Sequence, residues 1–314
     1  RKMLLGQRWS REDLVTWQRI LDARGWGAPA WPVEWGGTGW SGVQLYIFRE
    51  ELNRARGIDQ LNQNINLAGP VVIAFGTDEQ KRHFLPRIRS MEYWFCQGFS
   101  EPQAGSDLAR LATSAVRDGD HYVINGMKRF ITHAAESDFF QLVAATDRAK
   151  GSRGGLSMFL VDADTPGVTV VRPVPTMMGD APYELAFDNV KVPVENLIGK
   201  EGDGMKNAQS WITSGRLYQA CRGLGVAKRC LDMAASYSKQ RVTFGQPLAE
   251  RQAIQWMLAD SATELSMARA YAYETLRRLH AGEDVSTAAS MCKLYCSEMV
   301  GRVPDRAVQI HGGM

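Results

Sequence analysis

An α+β fold in three parts is predicted for this chain from three observations. Residues 1–92 read as an N-terminal helical domain, with capping signals followed by apolar residues at helical spacing. Residues 93–200 change to short extended runs separated by turn residues, the pattern of a middle antiparallel β-barrel or sandwich. Residues 201–314 return to long apolar stripes, the pattern of a helical bundle. No internal repeat and no low-complexity linker separates the three regions.

In the first region, Ser10-x-x-Asp13 resembles a capping box with Asp in the place of the usual Glu. Leu14, Trp17, Ile20 and Leu21 follow at helical spacing, and Gly25 suits the helix end. The stretch from Trp26 to Trp40 has the Pro and Gly content of a loop, and its four tryptophans make it a packed one. A helix is expected over 43–56, with Leu45, Phe48 and Leu52 on one face. The segment from Ile65 to Phe75 is apolar but interrupted by Gly69-Pro70. Thr77-x-x-Gln80 starts a short helix toward Leu85-Pro86.

In the middle region, Asp118-Gly119-Asp120 and Asn125-Gly126 are turn signals on either side of His121–Ile124. Further strands are expected at Phe139–Ala144, Leu156–Val161, Val168–Val174 and Tyr183–Val192. In the last region, one stripe runs through Leu217, Ala220, Cys221, Leu224, Ala227, Leu231 and Ala234. A second runs through Ile254, Met257, Leu258, Leu265, Ala268, Ala272 and Leu276. A third helix is expected from Ser286 toward Gln309, kinked or broken at Pro304.

The 314 residues, 45% hydrophobic, suffice for two or three packed domains. A net charge of +3 is too small to point to a nucleic-acid partner, and Lys and Arg are spread along the chain. The five cysteines are odd in number and scattered, which argues against a disulfide framework. Cys292 and Cys296 share a helix face as small core residues. The histidines form no metal-ligand spacing, so no metal is expected, and no apolar run is long enough to span a membrane. The chain begins at Arg1 and stops at Met314, so both ends are expected to be trimmed and targeting stays open.

Common nucleotide signatures are absent. There is no GxGxxG in a βαβ setting, no Walker A sequence and no GxSxG elbow. The most distinctive stretch is Tyr93 to Thr132. Within it, Gly105-Ser106-Asp107 can turn backbone N–H groups and a hydroxyl toward a phosphate, although the same residues are the ordinary vocabulary of turns.

Six segments in order then identify a resemblance: WPVEWGGTGW (31–40), FSEPQAGSD (99–107), NGMKRFIT (125–132), FDNVKVPVENLIG (187–199), QRVTFGQPLAERQAI (240–254) and AVQIHGG (307–313). Together they resemble the acyl-CoA dehydrogenase family of flavoproteins across the whole chain. The resemblance implies FAD as cofactor. Gln97, Phe99 and Ser100 would line the flavin ring, Ser106 would meet the pyrophosphate, and Thr132 would lie near flavin N5. Phe130 stands where the family often has a Trp on the flavin face. A second subunit would supply Arg241, Thr243, Phe244, Gln252, Gln309, Gly312 and Gly313 around the adenine and pyrophosphate end. Arg241 is suited to phosphate by its fork of donors.

The implied reaction is α,β-dehydrogenation of an acyl-CoA thioester to the trans-2-enoyl-CoA, with electrons passed to an electron-transfer flavoprotein. Ser106 and Arg216 are expected acyl-CoA contacts. Thr213 falls where some relatives carry an Asp that contacts CoA. The family's glutamate base stands either just before Arg216, where this chain has Gly215, or beyond the HGG motif, where the chain has ended. The base is therefore expected beyond Met314 or is absent. Glu101 is rejected as a substitute because its counterpart belongs to the structural turn before the phosphate-binding serine. The resemblance also implies a homodimer or homotetramer, located in the cytoplasm of a bacterium or the mitochondrial matrix of a eukaryote. A flavin oxidase or monooxygenase on the same scaffold, or a non-catalytic flavin-binding subunit, is the alternative reading.

Overall fold

The computed structural model describes residues 9–177 and 181–313, so both chain ends, read above as trimmed, lie outside the described residues. The helices are α1 (Arg11–Ala23), α2 (Gly42–Arg54), α3 (Gly69–Phe75), α4 (Asp78–Ser90), α5 (Gly204–Gln209), α6 (Ile212–Gln240), α7 (Gln252–His280) and α8 (Ser286–His311). The chain forms two compact units, one from the N-terminal segment up to Thr38 with Gln60–Trp211, the other from Gly39–Asp59 with Ile212 onward.

In the first unit, α1 opens on the predicted capping box: the Ser10 hydroxyl accepts from Asp13 N, and Asp13 Oδ2 accepts from Ser10 N at 2.8 Å. The Trp26–Trp40 loop is packed as expected. Trp31 is buried and its Nε1 donates to the Ile65 carbonyl at 2.8 Å. Gly69-Pro70 does not interrupt the chain. A π-helical turn over Gln63–Ala68 runs directly into α3, and Pro70 sits in the first turn of α3, where no N–H is needed. The Thr77–Gln80 box starts α4, which passes through Pro86 and reaches Ser90. It is longer than predicted because Pro86, although inside the helix, is flanked by Leu85 and Ile88, whose burial holds the turns on either side in place.

The strands of this unit are β1 (Phe95–Gly98), β2 (Ser114–Asp118), β3 (His121–Ile131), β4 (Phe139–Ala145), β5 (Leu156–Asp162), β6 (Val168–Pro173), β7 (Tyr183–Pro193) and β8 (Leu197–Ile198). They make one eight-stranded sheet in the order β6-β7-β3-β2-β4-β5-β8, with β1 beside β4. The sheet is antiparallel as predicted except along one edge of β4. There β1 pairs in parallel from Phe95↔Phe139 to Gly98↔Leu142, and β2 touches at Ser114↔Ala145. The two faces of β4 enter different cores. Phe139 and Val143 pack with residues of α3 and α4, and Phe140, Leu142 and Ala144 pack with Tyr122, Phe159 and Phe187.

Asn125-Gly126 is not a turn. The β3–β7 register shifts between Ile124 and Gly126, so the pair forms a bulge inside one long strand. Gly126 has φ +150, and a Cβ there would lie 2.5 Å from Thr113 Oγ1. The dipeptide that signals a hairpin serves here to bring β3 against the residue before β2.

In the second unit, α2 begins at a Ser41–Gln44 capping box. Its buried face carries Tyr46 and Glu50, whereas Leu45, Phe48 and Leu52 are only half-buried. Glu50 is held by an ion pair with Arg269 of α7, which lets a charged side chain occupy the inner face. The two predicted stripes are the buried faces of α6 and α7, with Leu231, Ile254, Met257 and Leu258 partly buried. A two-strand hairpin, β9 (Val242–Thr243) with β10 (Gln246–Pro247), separates them where only helix was expected. Helix α8 continues through Pro304 to His311, so the predicted break does not occur. Cys292 and Cys296 are buried in the bundle core, and among the described residues no group of His, Cys, Asp or Glu could hold a metal.

Candidate active site

The C-terminal end of β1 and the C-terminal end of β3 meet at one edge of the first unit. Ser100 accepts from Arg129 N at 2.8 Å, and the Phe99 carbonyl accepts from Lys128 Nζ at 3.0 Å. Gln97 points to the helical side of the sheet, where its Nε2 donates to the Gln63 carbonyl in the π-turn at 3.2 Å. The sequence-selected residues Gln97, Phe99, Ser100, Phe130 and Thr132 are therefore brought to one edge by adjacent backbone segments.

A buried ion pair pins this edge. Lys128 and Glu101 side chains are 0% and 2% exposed, and Lys128 Nζ lies 2.8 Å from Glu101 Oε1. The Glu101 carboxylate also accepts from Thr113 N at 2.9 Å, Ala112 N at 2.6 Å and Gln103 Nε2 at 2.7 Å. Burial opposes its ionisation, but the Lys128 charge and these N–H donors outweigh burial and hold the carboxyl below its ordinary value. Burial pulls the Lys128 ammonium down from its ordinary value. Both Glu101 oxygens are committed, so it cannot reach out to take a proton, in agreement with its rejection as base.

After Lys128 the strand bulges. The β3–β7 register shifts between Lys128 and Ile131, and Phe130 adopts φ +61 with 53% exposure. A bulky side chain in left-handed conformation is uncommon and costs free energy, so it persists where its neighbours enforce it. Arg129 lies with its guanidinium 4.9 Å from the Phe130 ring centroid and contacts Glu184 at 3.3 Å. Thr132 follows, exposed, and His133 at φ +64 completes the turn. Ser106 is exposed in the loop after the Glu101–Ala104 turn, and a Cβ on neighbouring Gly105 would meet no atom within 4 Å. A ligand can thus approach the backbone there.

In the second unit the other selected residues gather at one end of the helical bundle. Ala234, Tyr237, Ile254, Met257, Ala307 and Ile310 form a single cluster joining the end of α6, the start of α7 and the end of α8. Around it lie Arg241, the β9–β10 hairpin, Gln252, Gln309, Gly312 and Gly313. Arg251 ties the hairpin to α7 by donating to the Thr243 carbonyl at 2.6 Å. Phe244 stands at the hairpin tip with φ +50, followed by Gly245 at φ +80, and its side chain is 98% exposed. Arg241, Gln252, Gln309, Gly312 and Gly313 are exposed, and no atom would obstruct a Cβ on either glycine. Arg216, with Gly215 and Thr213, lies half-buried in the first turns of α6.

Three residues of the first edge escaped the sequence reading: Lys128, Arg129 and Glu184. One signal was present. Lys128 falls on the inward positions of β3 with Tyr122 and Ile124, and a lysine in that alternation needs a buried partner. Reading Asn125-Gly126 as a turn ended the strand at Ile124 and hid that alternation.

One family matches along the whole chain. Family models described as the N-terminal, middle and C-terminal domains of acyl-CoA dehydrogenase match residues 6–92, 96–190 and 202–314. The chain belongs to the acyl-CoA dehydrogenase family. It is 36% identical over 287 residues to a 3-(aryl)acrylate reductase of Clostridium sporogenes, covering 90% of this chain and 76% of that relative. It is 37% identical over 286 residues to the caffeyl-CoA reductase–Etf complex subunit CarC of Acetobacterium woodii, covering 90% and 75%. The structure of butyryl-CoA dehydrogenase from Megasphaera elsdenii superposes with a TM-score of 0.86 at 32% identity, covering 97% of this chain and 80% of that one. As an acyl-CoA dehydrogenase family member the chain has the helical, β and helical regions of that fold and the oxidoreductase class that goes with it. No described helix is long and apolar enough to cross a membrane.

Proposed function

We propose that this acyl-CoA dehydrogenase family member binds FAD and catalyses the α,β-dehydrogenation of an acyl-CoA thioester to the trans-2-enoyl-CoA, with an electron-transfer flavoprotein as electron acceptor. The observation that carries the reading is the Phe130 bulge: a half-exposed aromatic held in strained backbone, beside the hydroxyls of Ser100 and Thr132. That edge suits a flat, partly polar ring. The open backbone at Gly105 beside the free-standing Ser106 suits a phosphate, as do Arg241 and the unobstructed Gly312 and Gly313 in the second unit.

When bound, FAD supplies the two-electron acceptor. The chain's own residues bind and orient. Phe130 would pack on the ring, Gln97, Phe99 and Ser100 would line its edge, and Thr132 would offer it a hydroxyl. Ser106 and Arg216 are the acyl-CoA contacts. Arg241, Thr243, Phe244, Gln252, Gln309, Gly312 and Gly313 serve the nucleotide end. The exposure of Phe244, Trp256 at 61% and Met267 at 66% supports service of these residues in a homodimer or homotetramer. Gly215 provides no carboxylate, so the α-proton is taken by a base other than the position before Arg216. The CoA thioester in the name of the caffeyl-CoA reductase relative supports the substrate class.

Incubating the protein with a panel of acyl-CoA thioesters and an electron-transfer flavoprotein tests the reading by mass spectrometry. Loss of two hydrogens from one thioester is the expected result. An unchanged panel, with FAD bound throughout, would sink it.

A further inference from the structure

The Phe130 bulge is held from behind by a charge relay that none of the assigned roles uses. Glu184 on β7 is 5% exposed. Arg172 of β6 grips it through two hydrogen bonds, Nε to Oε2 at 2.6 Å and Nη2 to Oε1 at 3.2 Å. On its other side Glu184 Oε1 meets Arg129 Nε at 3.3 Å, and the Arg129 guanidinium lies over Phe130. The relay crosses three strands and ends on the one bulky residue of β3 with positive φ.

We propose that Glu184 is a positioning residue: through Arg129 it holds Phe130 in its outward form and fixes the charge presented at that edge. The proposal rests on the FAD reading for its redox consequence, but not for the positioning itself. The bulge is kept from relaxing by backbone and side chain together. Arg129 N is tied to the Ser100 carbonyl, which fixes the residue along the strand, and its guanidinium is drawn toward Glu184 by an ion pair at 3.3 Å, which favours its place over the ring. Two guanidinium charges against one carboxylate leave a single net positive charge behind Phe130. A positive charge there favours the more negative, reduced form of a neighbouring redox group. Removing the carboxylate raises that charge, and removing Arg129 cancels it, so the two substitutions must act in opposite directions.

The test is E184Q, which keeps the side-chain shape, with R129Q as the second variant at a partly exposed position. Hydrogen exchange over residues 127–133, measured with and without added FAD, should quicken by roughly threefold or more in both variants while the rest of the sheet is unchanged. The midpoint potential of bound flavin should rise in E184Q and fall in R129Q. Unchanged exchange over 127–133 in both variants would overturn the positioning role. Potentials that stay at the parental value, or move the same way, would overturn the charge role. If the parent takes up no FAD, the functional reading fails, and the exchange measurement without FAD still decides the positioning.

Discussion

Gly126 shows how much one residue decides in the β-domain. Its φ of +150 and the 2.6 Å approach of a built Cβ to Thr113 Cα leave no room for a side chain. Gly126→Ala is expected to destabilise the protein by about 2 kcal/mol or more, seen as a lower urea midpoint. The Glu101–Lys128 pair is a second decision at this scale. Glu101→Gln leaves the Lys128 ammonium buried without its counter-charge and should cost about 3–5 kcal/mol in chemical denaturation. The double variant Glu101→Gln with Lys128→Met should recover much of that loss, and a coupling energy near zero in the cycle would contradict the pairing. The pair also sets an acid limit. Glu101 is held below its ordinary pKa in the fold, so its contribution is present above the unfolded value of about 4.3 and is lost as pH falls through the lower folded one. Stability of the parent and of Glu101→Gln is compared across the acid range by chemical denaturation followed by circular dichroism. The expected result is a flatter stability profile in the acid limb.

Elements were legible where a local rule stood alone. The boxes at Ser10 and Thr77 start α1 and α4 because their hydrogen bonds lie within four residues. The strands from Phe139 to Val192 follow from short extended runs set between turn residues. Elements were misread where packing overrode the local rule. Asn125-Gly126 reads as a turn in isolation but is a bulge because β7 pairs across it, and Pro304 lies in a helix whose neighbours Val303 and Ala307 are buried. The hairpin between α6 and α7 is too short to carry a period, and its Phe244-Gly245 tip was chosen by resemblance alone. Phe244→Ala should change thermal unfolding by less than about 0.5 kcal/mol, because the ring is 98% exposed and its contact with Arg251 is made at the surface. The same variant should retain less FAD on gel filtration; full retention would remove the hairpin from the nucleotide end. In the second unit α2 crosses α6 closely at Gly225, where a Cβ would lie 2.5 Å from the Glu50 carbonyl. Gly225→Val should lower stability by about 1–3 kcal/mol, read from the denaturant midpoint.

At the scale of the molecule, the succession of helical, β and helical regions was readable from periodicity, since each region changes period over many residues. The candidate site was readable in a different way. The residues at the β1 and β3 ends are far apart in sequence and carry no motif whose chemistry identifies a flavin, so they were found through resemblance. Lys128, Arg129 and Glu184 were not found, because their meaning depends on which strands pair and where the register shifts. On the proposed reading, a flavin lies against the Phe130 edge and accepts electrons from an acyl-CoA thioester. Anaerobic titration of the FAD-loaded protein with acyl-CoA thioesters tests it most directly. One thioester is expected to bleach the oxidised flavin band near about 450 nm. Bound FAD that dithionite bleaches and no thioester does would contradict it.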